Sequence, residues 1–219
     1  MSTLRRTRSS SVLAEDMLLL LYHPETGRPL IHTKEVDLAL GGALLAELAE
    51  RQRIQLTEPH RVTKNRAVVV LDPAPTGHDV LDEALQRVAA HRSARAQVVV
   101  SRISKGVRCR LLDDLVQRGV LRLEESRIAG VIPTSAWPAV DSRHTEQRKR
   151  DLQRVLDGEG PPTHQEVAVI SLLHAVRRTA QVLGEAGHDR RELKRRAKRI
   201  AEGDATGEAV RRALDAAAF

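Results

Sequence analysis

The apolar positions of this chain follow helical spacing for most of its length, interrupted by short alternating or continuous apolar runs. Leu13, Met17, Leu18 and Leu21 form a stripe behind Ser11, which can cap a short helix. HPETGRPLI then reads as a tight turn flanked by short extended pieces. From about Glu35 to Glu50, EVDLALGGALLAELAE is helical but apolar on nearly every side, which predicts a central helix. Each glycine of its Gly41-Gly42 pair costs about 1 kcal/mol relative to alanine, so the pair predicts close approach of another backbone. RIQLT and RAVVVLD read as two short strands around EPHRVTKN, a hairpin.

The second half alternates in the same way. A helix is expected from about Val80 to Ala90, and SARAQVVVSRISKGV reads as an extended piece leading into a helix start. RCRLLDDLVQRGVL is helical, with Gly119 placed to terminate it. RLEESRIAGVIPT reads as a second hairpin, and further helices are expected at about 142–156, 164–184, 189–202 and 206–217. Residues 1–10 read as a disordered basic arm, and 11–219 as one globular domain. The expected class is mainly α: a core of apolar helices ringed by amphipathic helices, with short β-hairpins on the surface.

DPAPTGHDVLDEAL, at 72–85, carries two prolines, a Thr-Gly pair and three acids ahead of an apolar run. A glycine turn feeding a helix can cradle a phosphate, and clustered carboxylates can serve acid–base or metal chemistry. Acids at a helix start repel phosphate, however, and they complement the helix dipole. The stretch is therefore read as a rigid turn and helix start, with Asp79 accepting from the first free N–H groups.

Composition narrows the picture. Tyr22, Trp137 and Phe219 are the only aromatic residues, so the core is built from Leu, Val, Ala and Ile. The single cysteine, Cys109, excludes an intramolecular disulfide and suits a reducing cytosol. No run approaches the ~20 apolar residues that span a bilayer. The chain reads as soluble and cytoplasmic. There is no Walker loop, dinucleotide fingerprint, HExxH or GxSxG, and the histidines stand singly. Neither a catalytic set, a metal site nor a cofactor is expected, and His174 in SLLHAV is read as a core histidine.

The net charge is +7, and it is clustered. No acid lies between Glu83 and Asp113, where Arg87, Arg92, Arg95, Arg102, Lys105, Arg108 and Arg110 all carry positive charge. A second run, HDRRELKRRAKR, covers 188–199 and is read as a solvated helix face. The first run lacks acidic neighbours in sequence, which points to a polyanionic partner: nucleic acid or an anionic membrane surface.

In the order of AEDMLLLLYHPETG, LGGALLAELAERQRIQL, DPAPTGHDVLDEAL and LLDDLVQRGVL, the chain resembles the Golgi phosphoprotein 3-like family, with SLLHAV in the family's late core region. The blocks span about residues 12–185. Eukaryotic members are peripheral adaptors that bind phosphatidylinositol 4-phosphate, and the high Ala and Arg content here hints at a bacterial member. The resemblance implies a head-group site at Lys105 and Arg108, with Arg102 nearby and His32 where the family has a tryptophan. Gly41 stands where the family has an arginine. It also implies oligomerisation or membrane contact through the hairpin at about 124–135, with Ile128, Val131 and Ile132 as apolar tip residues.

The expected function is a non-catalytic peripheral adaptor that binds anionic lipid head groups, associated with the inner face of a membrane. Two other readings stay open. The helix-then-hairpin pattern at 36–71 and 107–132 could be a winged-helix DNA binder, with RCRLLDDLVQRGVL as recognition helix, although Asp113 and Asp114 would then face phosphates. The chain could also be a protein-interaction scaffold with no lipid affinity.

Overall fold

The computed structural model describes residues 11–63, 65–90, 94–128, 132–184 and 189–217. In chain order the first half holds α1 (Leu13–Leu20), α2 (Thr33–Glu50), β1 (Ile54–Leu56), β2 (Val68–Val70), α3 (Asp79–Ala89), α4 (Ala96–Ile103) and α5 (Val107–Gln117). The second half holds β3 (Glu124–Ile128), β4 (Ile132–Ala136), α6 (Arg143–Asp157), α7 (His164–Ala175), α8 (Thr179–Val182), α9 (Arg190–Ala201) and α10 (Ala205–Ala217). The mainly helical class holds, with β1–β2 and β3–β4 as separate antiparallel hairpins.

Helix α2 is the hub because it has no polar stripe to leave in water. It packs on α1, α3, α4, α5, α7 and α10. Its glycines do what the sequence predicts. A Cβ on Gly41 would lie 2.7 Å from the Val100 carbonyl and 3.0 Å from the Ser104 Cβ, and one on Gly42 would run into Val210 and Leu172. Gly41 thus admits α4, and Gly42 admits α7 and α10. Helix α7 is the second buried helix, with Val169, Ile170, Leu172 and Leu173 inaccessible to solvent.

Two buried carboxylates tie the shell to this core. Glu47 of α2 accepts from the Leu13 N–H at 2.7 Å and pairs with Arg51 at 2.7 Å. Glu15 of α1 pairs with Arg118, just past α5, at 2.6 Å. Glu47 therefore satisfies the start of α1. Ser11 does not: Val12 occupies the cap position, and the Ser11 hydroxyl donates to Asp16 at 3.1 Å instead.

Other expectations shift for local reasons. The helix expected over 164–184 breaks into α7 and α8, because Arg177 adopts a left-handed conformation with φ of 58°. The extended piece before α4 shrinks to an isolated Ala67–Arg95 bridge beside β2, and AQVVVSRI is helical. At α3 the cap residue is His78, whose side chain makes no cap bond, and Asp79 is 91% exposed. The work passes to Asp82, which reaches back to accept from the Thr76 N–H at 2.5 Å and hydroxyl at 2.6 Å. Burial alone would raise the Asp82 pKa, but these bonds and one from the Gly77 N–H hold it below the ordinary carboxylate value. Gly119 (φ of 70°) follows α5 as expected, and Thr163 and Glu166 form a reciprocal capping box on α7. The arm at 1–10 lies outside the described residues.

Candidate functional site

The basic segment of 87–110 folds into α4, a glycine turn and α5. Lys105 lies exposed in that turn, and Gly106 (φ of 79°) makes the left-handed bend that lets α5 begin at Val107. Helix α5 starts with no side-chain cap and no acid in its first turn, so its unpaired N–H groups and positive dipole end sit beside Lys105. The end of α4 is held by Arg87, whose guanidinium donates to the Lys105 carbonyl at 2.6 Å and the Arg102 carbonyl at 3.4 Å. The Arg102 and Lys105 side chains form no ion pair with the described residues.

Arg87, Arg108 and Arg110 are neutralised, contrary to what their sequence neighbourhood implies. Glu83 of α3 pairs with both Arg87 and Arg110, and Asp79 lies 3.8 Å from Arg110. Arg108 reaches α2, where its Nε donates to Asp37 at 2.9 Å. Arg87 pairs within its own helix, whereas the acids facing Arg108 and Arg110 come from α2 and α3, a source the local sequence does not reveal.

Arg108 also faces Tyr22. The Tyr22 hydroxyl is buried and lies beside the guanidinium without a hydrogen bond of good geometry. Burial pushes the phenol pKa up, and the adjacent positive charge pulls in the opposite direction without reversing it. For Arg108, burial favours the neutral form, but Tyr22 and Asp37 outweigh it and hold the guanidinium charged. Trp137 closes the back of this site: its ring meets Tyr22 edge-on, with centroids 6.4 Å apart and planes at 79°. This fits the role of a packing plug.

Lys105 and Arg108 thus flank one helix start, with Arg102 one turn before it. His32 is exposed at the cap position of α2 and makes no hydrogen bond to any of the three. Gly41 cannot stand in for a lost arginine, because its Cα faces α4. Sequence reasoning missed Tyr22 and Asp37. The usable signals were an acid isolated within an apolar helix and a tyrosine in a chain almost without aromatics. Cys109 is exposed next to Arg108.

At the hairpin, β3 and β4 pair in register from Glu124–Ala136 to Ile128–Ile132. Val131 lies outside the described residues, as do the side chains of Ile128 and Ile132, so their role as a tip remains an expectation. Among the described residues no group of His, Cys, Asp and Glu is arranged to hold a metal ion. Nor is any helix among them long and apolar enough to cross a membrane.

The family model described as Golgi phosphoprotein 3 (GPP34) matches residues 13–217, nearly the whole chain. No curated relative matches it.

Proposed function

The chain belongs to the Golgi phosphoprotein 3 (GPP34) family, and from that premise we propose that it is a non-catalytic peripheral adaptor that docks on anionic lipid through the α4–α5 corner. The observation that carries this reading is the exposed Lys105 beside an uncapped helix start, with neither it nor Arg102 paired to the described residues. A lipid phosphate placed there would meet an ammonium point charge, backbone N–H groups and the positive end of α5. Arg108 contributes less than its sequence position implies, because Asp37 already occupies its Nε.

Phosphatidylinositol 4-phosphate is the finer assignment drawn from the family. Against strong selectivity stand His32 and Gly41, which supply neither the aromatic face nor the second arginine. We therefore place anionic charge ahead of head-group identity. The membrane is the cytoplasmic leaflet that carries anionic lipid, and the hairpin at 124–135 is the proposed contact for self-association.

Flotation with phosphatidylcholine vesicles, with and without phosphatidylserine or phosphatidylinositol 4-phosphate, tests the proposal. Binding is expected only with anionic lipid, and Arg102→Ala and Lys105→Ala should each weaken it about fivefold, from about 1 kcal/mol per basic residue near the surface. Equal binding to neutral vesicles, or unchanged binding by both variants, would overturn it. A salt-dependent shift of random duplex DNA without vesicle binding would favour the DNA reading instead.

A further inference from the structure

Away from the α4–α5 corner, the end of α2, β1 and the first turns of α7 and α10 line an open groove of about 400 Å³. Its apolar lining comes from Ala46 and Ala49 of α2, Leu56 of β1, Val167 of α7 and Ala205 of α10. Leu13, the first residue of α1, borders it as well. Ala46, Ala49 and Leu56 pack on the core but are only half-buried, so the groove leaves part of their apolar surface in water.

The charged groups at this groove are acids. Among the described residues that line it there is no lysine or arginine, in a chain whose net charge is +7. His164, exposed in the first turn of α7, is the one nitrogen base there. Glu50 is exposed, accepts from the Gln165 side chain at 3.0 Å and forms no ion pair with the described residues. Asp204 accepts from the Gly207 N–H at 2.7 Å and the Thr206 hydroxyl at 2.8 Å. Burial raises its pKa, and a cation beside it would favour the charged form. Helix α2 brings its negative end to the groove with no basic residue in its last turn, and Arg51, which follows, is turned onto Glu47 at 2.7 Å. The starts of α7 and α10 are already capped, by Thr163 with Glu166 and by Asp204, so neither calls for an anion. The groove therefore suits a segment that is both apolar and basic.

We propose that the groove is the docking site of the chain's own residues 1–10, MSTLRRTRSS, with Leu4 against the apolar lining and Arg5, Arg6 and Arg8 facing Glu50 and Asp204. The point where the described chain begins supports this occupant. Ser11 is two residues from Leu13, and the Leu13 N–H is fixed at 2.7 Å to Glu47, one helical turn before Glu50. The nine steps from Leu13 back to Leu4 span up to about 30 Å when extended, enough to fold back over the groove. So short a tether gives an effective concentration on the order of millimolar, and weak contacts then suffice. Docking sets three arginines against acids and withdraws them from any anionic surface. The groove shares no residue with the α4–α5 corner, so this inference stands whether or not that corner binds lipid.

The test times trypsin cleavage after Arg5, Arg6 and Arg8 in the full chain by mass spectrometry, and follows the Leu56 and Ala205 amide resonances by NMR. Cleavage at the three arginines should be about tenfold slower than in a synthetic peptide of residues 1–12, because it tracks the undocked fraction. Leu4→Ser, compared with a peptide carrying the same change, should abolish this protection and move the Leu56 and Ala205 resonances. Glu50→Lys should speed cleavage about fivefold. Lys105→Ala should change nothing. Glu50 is exposed and Leu4 precedes the described fold, so unmoved resonances in α5 serve as the check on folding. Cleavage as fast in the parent as in the peptide, or unaltered in both groove variants, would overturn the proposal. Protection that grows with protein concentration would assign the groove to a second copy's arm. Leu56 and Ala205 shifts on adding phosphatidylcholine vesicles, insensitive to Leu4→Ser, would assign it to lipid. Either result would overturn docking within one chain.

Discussion

Two stretches of this chain look alike as runs of positive charge, yet folding treats them differently. The α3–α5 segment has no acid between Glu83 and Asp113, while α9 carries its own acids, Asp189 and Glu192. In the structure two arginines of the acid-free segment find acids on other elements, Arg110 at Glu83 of α3 and Arg108 at Asp37 of α2, while Arg87 pairs with Glu83 within α3. In α9, Glu192 gathers Arg195 and Arg196, and Asp157 of α6 also takes Arg196. Lys194 and Lys198 are left without an ion pair among the described residues. Linear charge density is thus a poor guide to surface potential. What counts is which element packs alongside, because a pair at 3–4 Å cancels a charge that sequence neighbours leave standing.

The two segments also differ in how firmly they are held. Helix α5 buries Val107, Leu111, Leu112 and Leu115, whereas α9 buries only Leu193 and Ala197. The largest expected effect follows from this. Leu111→Ala should cost about 2–5 kcal/mol in chemical denaturation. Leu193→Ala should fall at the lower end of that range, with faster amide exchange confined to α9. Equal losses would mean that α9 is as much part of the core as α5.

Asp37 provides a smaller but more specific probe. Asp37→Asn keeps the shape of the Arg108 contact and removes its negative charge. Binding to anionic vesicles should rise about fivefold, the equivalent of ~1 kcal/mol for one more basic group near the membrane. The same change at Asp157, which neutralises Arg196 on α9, should leave vesicle binding unaltered. If both variants behave alike, the α4–α5 corner has no privileged role.

The smallest effect concerns the turn that orients α3, and with it Glu83. The folded Asp82 pKa is depressed, so its bonds to Thr76 stabilise the protein fully above the unfolded carboxylate pKa of about 4. That contribution is lost as pH falls through the lower folded value. In thermal melts across this acid range, Thr76→Val should remove part of the pH dependence. The entry turn of α9 has its own carboxylate, Asp189, which accepts from the Arg191 N–H at 2.8 Å, so Thr76→Val should leave amide exchange in α9 unchanged. A pH profile identical to the parent would show that Thr76 does not set the Asp82 pKa.

Much of the fold was legible because the signals are local. The fully apolar run of α2, the two short strands β1 and β2, and Gly119 after α5 all act within a few residues of the chain. The resemblance names Lys105 and Arg108, which the structure places on either side of the start of α5. Local signals failed where the partner came from elsewhere. Ser11 is an acceptable cap, but Glu47 reaches the start of α1 from 34 residues away. Asp79 has the right spacing to cap α3, but Thr76 turns back onto Asp82. His174 sits in an apolar run, but its exposed edge meets cations from α9 and α10.

The sequence by itself determined the helical class, the close-packed Gly41-Gly42 hub, the order of the elements and the family. These follow from periodicity, backbone freedom and capping chemistry, whose reach is one or two helical turns. Only the tertiary structure decided which cations stay exposed, which acids neutralise the others, and that α7, α9 and α10 line one open groove beside His174. Coulombic and hydrogen-bonding partners are chosen by distance in space, and the packing of α2 brings residues together that the chain keeps far apart.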